Sequence, residues 1–378
     1  MITIKELEQK REERGLEIAH KESQVKQVEE NFYTVLSQSG NGQYAVFKVD
    51  KEWACECPDN RFRQVKCKHI FAVETSIKIR EQVKKNIVIA PLNTSKCVYC
   101  GSEQMVKDAV RHNKKYDIQR CLCKSCGKRF SVNVGFEGMK ASPQVITSAM
   151  QLYFTGESLR NVQKFLKLQG ISVSHVAILK WIRKYVKLMN DYLEKIKPNV
   201  SDTWRADELY VKIKGDMKYL FAIMDDETRF WIAQEISDSK YAHDARTLFQ
   251  AGVKVAGKKP MTLITDGLPA YHDAYKKEFW TQKNPRTKHI SAIRFRGNHN
   301  NNKMERMNGE IRDREEVMRG LKKVDTPILK GYQLFHNYIR SHEGLDGKTP
   351  AKACGIKVEG QDKWKTLIEN ASRNESEK

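Results

Sequence analysis

Eight of the nine cysteines in this 378-residue chain fall between Cys55 and Cys126, and only Cys354 lies elsewhere. Disulfide frameworks belong to small secreted folds, whereas this chain is long and 40% hydrophobic, enough to close a core without covalent staples. Its cysteines, clustered at short spacings, therefore read as metal ligands. The first set is Cys55-x-Cys57 followed by Cys67-x-His69. Zinc takes four thiolate or imidazole ligands in a tetrahedron, and a tight turn supplies two at a time. Cys55 and Cys57 are expected to end a strand, and Cys67 and His69 to open a helix. The second set is Cys97-x-x-Cys100 and Cys123-x-x-Cys126, two knuckles separated by 22 residues. Gly101 and Gly127 follow the knuckles, where a positive φ is often required. Cys121 offers a competing Cys121-x-Cys123 pair. Cys354 is expected to be buried and inert.

Charge narrows the partner. Lysine and arginine total 68 against 47 aspartates and glutamates, a net +21. Two zinc ions on seven thiolates would lower that only slightly. Such an excess favours a polyanion, nucleic acid before an anionic membrane surface. The longest apolar runs, such as 219–224, fall far short of the roughly 20 residues a bilayer requires. The opening MITIKELEQK holds no apolar signal segment. The sequence thus predicts neither a transmembrane nor a secreted protein.

Along the chain, residues 1–30 are charged and helix-like. Segments 32–37, 44–49 and 53–57 alternate as strands, the first two split by SGNG at 39–42. A helix is expected from Lys68, a linker containing Pro91 over 86–95, and strands around the cysteines of 96–136. Helical periodicity covers 143–190. In SLRNVQKFLKLQG the apolar positions are Leu159, Val162 and Leu166, and Gly170 suits a helix stop. A second helix opens near Ser174, a good N-cap, with an apolar stripe of Val176, Leu179, Ile182 and Val186. Its other face carries Lys180, Arg183, Lys184 and Lys187, at i, i+3, i+4 and i+7. In so basic a chain, behind two zinc modules, that is a DNA-facing helix of a helix-turn-helix. After a second linker, PNVS at 198–201, the pattern is strand, strand, strand, helix, strand, helix, strand, helix to about residue 325. The final SRNESEK is polar and expected to fray.

Three carboxylates stand out in this C-terminal half. Asp207 shares a strand face with Leu209, Val211 and Ile213, where an ionised group is costly without a compensating cation or donor. Asp266 ends the strand 261–265 beside Gly267. In NHNNNKMERMNGEIRDREEVMRG, Met304, Met307, Ile311 and Met318 form a helical core stripe. Glu305 lies about 100° from Met304 and shares its face with Asn301, Asn302, Asn308 and Arg312. Hard divalent cations take carboxylate oxygens, and two of them support phosphoryl transfer. Asp225 and Asp226 read as a turn or an ion pair with Arg229. His299 is either a DNA contact, a group positioning the metal site, or a satisfied loop histidine.

Several of these segments resemble known families. WACECPDNRFRQVKCKHIFAVE is similar to a SWIM-type zinc finger, which implies DNA or protein binding. CKSCGKRF resembles the second knuckle of zinc ribbons that precede many transposases, which favours Cys126 over Cys121 and makes Cys121 a ribbon core residue. WRADELYVKIKG, MKYLFAIMDDETRF, TLITDGLPAYHDAY, NNKMERMNGEIRDREEVMRGLK and SHEGLDGKTPAKACGI together resemble the DDE transposases of prokaryotic insertion sequences, over about residues 91–356. The resemblance implies a multi-domain α/β protein. A SWIM finger region (1–90), a zinc ribbon (91–140) and a helix-turn-helix (141–198) precede an RNase H-like catalytic domain with a mixed sheet (199–330) and a C-terminal helix and tail (331–378). It assigns the catalytic triad to Asp207, Asp266 and Glu305, the last two 39 positions apart, somewhat wider than usual in the family. It implies two structural zinc ions, catalytic Mg²⁺ or Mn²⁺, and binding to the element's terminal inverted repeats and target double-stranded DNA. Hydrolysis would free a 3′-OH that attacks the target. A dimer or larger assembly in a prokaryotic cytoplasm, at the nucleoid, is expected. The competing readings are a structure-specific nuclease and a zinc-dependent DNA-binding regulator with an inactive RNase H-like domain.

Overall fold

The computed structural model describes residues 4–21, 24–29, 31–38, 42–49, 52–83, 86–112, 116–282, 286–291, 301–318, 321 and 327–376. Most of the SGNG turn and His299 lie outside the described residues. Two compact units emerge: Met1–Lys85 with Pro260–Leu263 and Phe279–Lys288, and the remainder.

In the first unit, helix α1 (Ile4–His20) leads into an antiparallel sheet, β1 (Val25–Glu29), β2 (Phe32–Leu36), β3 (Gln43–Val49) and β4 (Glu52–Cys55), paired in that order. The expectation of helix up to residue 30 fails at VKQVE, whose period-two alternation pairs with β2. Helix α2 (Pro58–Arg63) begins directly after Cys57, because a proline at the first helical position sacrifices no hydrogen bond. Helix α3 (Lys68–Val83) starts as expected. Val35, Val46, Ile70 and Val73 form the core beside the cysteines.

The second unit opens with β5 (Ile87–Ile89), where a linker was expected. The ribbon follows: β6 (Met105–His112), β7 (Asp117–Cys123) and β8 (Arg129–Ser131), all antiparallel. Three helices come next, α4 (Pro143–Phe154), α5 (Leu159–Leu168) and α6 (His175–Leu193). They are N-capped by the hydroxyls of Ser142, Ser158 and Ser174. The α6 core stripe is Ile178, Trp181, Ile182, Tyr185, Val186 and Met189. Val176 stays exposed and Leu179 half-buried, so the stripe is rotated from its expected position.

The C-terminal half, from residue 203 on, reproduces the expected element order. It comprises β9 (Thr203–Ile213), β10 (Asp216–Asp225), β11 (Trp231–Ser237), α7 (Ala242–Ala256), β12 (Thr262–Ile264), α8 (Pro269–Glu278), β13 (Lys288–Ile290) and α9 (Asn302–Met318). The sheet order is β11-β10-β9-β12-β13. β9 to β11 form an antiparallel meander. The Lys288 N–H bonds the Met261 carbonyl and the Thr265 N–H bonds that of Ile290, so register rises together along β12 and β13 and the pair is parallel. The sheet is therefore mixed, with β9 at its centre buried by Trp204, Leu209, Val211 and Ile213.

The chain closes with α10 (Pro327–Leu334), a π-helical turn at Phe335–Ile339, a 3₁₀ turn at Glu343–Leu345, α11 (Pro350–Ala353), β14 (Ile356–Val358) and α12 (Lys363–Ser376). β14 pairs in parallel with β5. Both α10 and α12 pack on α6, with Phe154, Phe335 and Trp364 stacked among them.

Candidate active site and metal centres

Both cysteine sets come together as read from the sequence. Cys55, Cys57, Cys67 and His69 form one group, all buried, and Cys97, Cys100, Cys123 and Cys126 the other, each group with ligand atoms within 4.8 Å of one another. Four ligands about 2.3 Å from one zinc stand about 3.8 Å apart along the tetrahedron's edges. The observed separations are 3.7 Å for Cys97–Cys126, 3.6 Å for Cys100–Cys123 and 3.8 Å for Cys55 Sγ to His69 Nδ1. None is near a disulfide bond length. The Cys55 thiol, aided by His69, holds Cys67 down at about 4, while that shared bond and burial push Cys55 up. A thiol held as thiolate is the form a metal takes. Gly101 and Gly127 adopt φ of 74° and 69°, and their N–H groups close each knuckle onto Cys97 and Cys123. Cys121 faces the ribbon core, outside the group. Cys354 is buried, with its thiol 3.0 Å from Thr228 Oγ1.

A third group gathers Asp207, Glu208 and Asp266, with carboxylate oxygens within 4.8 Å of one another. Asp207 is 8% exposed on β9. Its Oδ1 accepts the Glu208 N–H at 3.0 Å, and its Oδ2 accepts side-chain amides from Asn301 at 2.8 Å and Asn308 at 2.9 Å. Burial, then the Glu208 and Asp266 charges, raise it to about 7 against those donors. Asp266 is exposed just beyond β12 and its Oδ1 accepts the Leu268 N–H. The next residue, Gly267, has a φ of 91° and lies so close to Ser291 that a Cβ would stand 2.8 Å from its carbonyl oxygen.

Glu305 occupies the exposed first turn of α9, outside that acid group. Its N–H bonds the Asn301 carbonyl, making Asn301 the cap. Asn301, Glu305 and Asn308 stand at i, i+4 and i+7, one stripe of the helix, and two of the three touch Asp207. Among the described residues the side-chain Oδ1 atoms of Asn301 and Asn308 are buried without a partner, hard donors suited to a cation or its water. Of the other four acids of the helix, Glu310 pairs with Arg340 and Glu315 accepts the Lys212 N–H, while Asp313 and Glu316 are exposed.

Glu208 escaped the sequence reading because alternation assigned it to the other face. Its side chain is 5% exposed and Lys240 Nζ lies 2.9 Å from its Oε1. The signal was a second acid directly beside Asp207 in a largely apolar strand. Asp225 and Asp226 differ from expectation in their partners. Asp225 is fully buried and bonded by Ser201 and Thr228. Asp226 sits in the turn that one reading expected, closed by the Arg229 N–H onto the Asp225 carbonyl; it pairs with Arg205 and with Lys303 at 2.7 Å, and among the described residues not with Arg229. On α6, Lys180, Arg183, Lys184 and Lys187 are all exposed. Arg183 and Lys187 line a groove with Gln234 and Glu235 of β11, and Lys184 Nζ rests 3.8 Å from Met139 Sδ. Lys180 is left facing outward.

Among known families, residues 201–342 match the DDE domain family DDE_Tnp_IS240. The transposase for insertion sequence-like element IS431mec of Staphylococcus aureus (strain Mu50) is 30% identical over 147 residues, 38% of this chain and 63% of that protein. The transposase for insertion sequence element IS257 in transposon Tn4003, also from Staphylococcus aureus, matches equally. The chain thus spans less than two thirds of the relatives it resembles. Two solved structures show slight likeness. The HTLV-2 integrase catalytic core domain in complex with magnesium has a TM-score of 0.32 at 18% identity, covering 42% of this chain and 98% of that one. The simian T-cell lymphotropic virus intasome with the B56 gamma subunit has 0.30 at 14%, covering 51% and 69%.

Proposed function

Taking residues 201–342 as a DDE domain related to insertion-sequence transposases, we propose that the protein is a DNA transposase. Its catalytic half has the RNase H-like class, supported by the mixed five-stranded sheet with Asp207 on the central strand. The observation that carries the reading is the convergence of Asp207 with Asp266, joined at Asp207 by the Asn301 and Asn308 side chains that flank Glu305 on one stripe of α9. Oxygen-only donors in this number fit Mg²⁺ or Mn²⁺, held by Asp207, Asp266 and Glu305. When bound, such ions supply positive charge to the scissile phosphate and its attacking and leaving oxygens. The protein does the rest by position. The two asparagine amides hold Asp207 Oδ2 in place, and the first turn of α9 presents Glu305 where a helix N-terminus favours negative charge. Lys303 and Arg205 neutralise Asp226 beside the site.

The zinc modules and the α4–α6 helices bind the element's ends in this reading, with Lys180 the outward basic residue of α6. The reaction proceeds by hydrolysis to a 3′-OH and its attack on target DNA. It takes place in the cytoplasm, in a homodimer or larger assembly. No helix among the described residues is long and apolar enough to cross a membrane.

The test is Glu305→Gln, which keeps shape, helix propensity and polarity and removes one charge. Folding and DNA binding should persist while Mg²⁺-dependent cleavage and strand transfer fall by orders of magnitude, since each ~1.4 kcal/mol is tenfold in rate. Glu316→Gln, exposed on the same helix, should keep full activity. Near-normal strand transfer by the Glu305 variant sinks the triad. Cleavage by the wild type without any strand-transfer product points to a nuclease.

A further inference from the structure

Two of the sequence motifs, MDDETRF and SHEGLDGKTP, have no part in the carboxylate site, yet the fold joins them. Arg229 from the first and His342 from the second line a cavity of about 180 Å³, with Lys303, Arg306, Glu310 and His336. It lies on the flank of α9 turned away from Asp207, since Arg306 and Glu310 stand on the opposite side from Asn301 and Asn308.

The lining carries more cation than anion. Asp226 is already shared by Arg205 and Lys303. Glu310 is bonded to Arg340 and lies 3.8 Å from Arg306. That leaves the half-buried Arg229, whose guanidinium makes no ion pair or hydrogen bond among the described residues. Its backbone is left-handed, with φ 55°, a conformation that persists only where the surroundings enforce it. The guanidinium lies against Gly344, where any Cβ would collide with it. At the back of the cavity, His336 is 3% exposed on the π-helical turn, a distortion frequent at functional sites. Its Nε2 donates to the Arg229 carbonyl at 3.0 Å, and its Nδ1 is buried with no partner among the described residues.

We propose that this cavity is a phosphate subsite that seats one backbone phosphate of the bound DNA duplex. The proposal rests on the transposase reading. A planar guanidinium held open offers a fork of donors that matches phosphate oxygens. Lys303 and Arg306 add charge from α9, and the unpartnered His336 Nδ1 takes a water bridging to the phosphate. The subsite would fix the strand against the helix that carries Glu305.

The experiment uses the full chain and a fluorescein-labelled duplex, with affinity measured by anisotropy across a KCl series. Gly344→Ala keeps every charge and displaces only the Arg229 guanidinium. It should weaken binding and reduce the log–log salt slope by about 0.9, the value of one phosphate contact. Arg306→Gln, at a 67% exposed side chain, should do likewise and guards against misfolding of the glycine variant. In the wild type labelled with ¹⁵N-histidine, the duplex should shift the His336 and His342 ring signals. Unchanged slopes in both variants overturn the subsite alone. Ring shifts produced by inorganic phosphate and not by the duplex overturn its assignment to DNA. A wild-type chain that binds no duplex overturns the transposase reading as well.

Discussion

Asp207 sits under three opposing influences: burial and two neighbouring acids favour its neutral form, and three N–H donors favour the ionised one. The first group prevails, lifting it from 3.8 to about 7. A folded-state value above the unfolded one means the native protein binds more protons between those limits. Stability linked to Asp207 is therefore fully present below pH ~4 and is lost as pH rises through ~7. The loss is worth up to about 4 kcal/mol. Asp207→Asn cannot titrate. In magnesium-free buffer its melting temperature minus that of the wild type should grow from pH ~4 to pH ~7 and level off above that. A flat difference means that the carboxylate is ionised throughout. Added Mg²⁺ should stabilise the wild type at pH 8 and leave the variant unmoved, because metal supplies the charge that burial withholds.

Elements were legible wherever their determinants are local. The knuckles of both cysteine sets, the Ser174 cap and the Met304, Met307, Ile311 stripe all follow from residues within a few positions of one another. What escaped depends on partners far along the chain. Ile87–Ile89 is a strand only because Ile356–Val358 runs beside it. The α6 stripe turns away from Val176 because α10 and α12, both C-terminal, choose which side is buried. That choice also ranks the basic residues of α6. Lys180→Ala should reduce the salt slope of end binding by about 0.9, whereas Arg183→Ala and Lys187→Ala, beside Glu235 in the groove, should change it less. Equal effects at all three positions would mean the whole face meets DNA. For the local sets, elemental analysis should find two zinc ions per chain. Cys123→Ser should lower this to one and loosen the ribbon, since modules this small draw their folding energy from the metal. Two zinc ions retained in that variant would move the second ligand set to Cys121.

At the scale of the whole molecule, a chain of charge +21 repels its own copies, a repulsion that the proposed DNA partner would offset. The proposed reaction brings copies together on that partner, because an element has two ends and each needs an active site. If two protomers join across paired ends, each cutting one, the fraction of fully active assemblies depends on both. The Glu305→Gln chain, folded and able to bind DNA but unable to cut, is the reagent that reads this. Mixed in equal amounts with wild type before DNA is added, random pairing leaves about a quarter of dimers with two working sites. Concerted transfer of both ends should then fall to about a quarter, while single-end products persist at a higher level. A fall to one half in both products would mean that each chain acts alone, and an assembly larger than a dimer would depress concerted transfer further if every site had to work. If the copies meet only on DNA, raising KCl before mixing should abolish the interference. Interference that survives high salt would place the interface in protein–protein contacts instead.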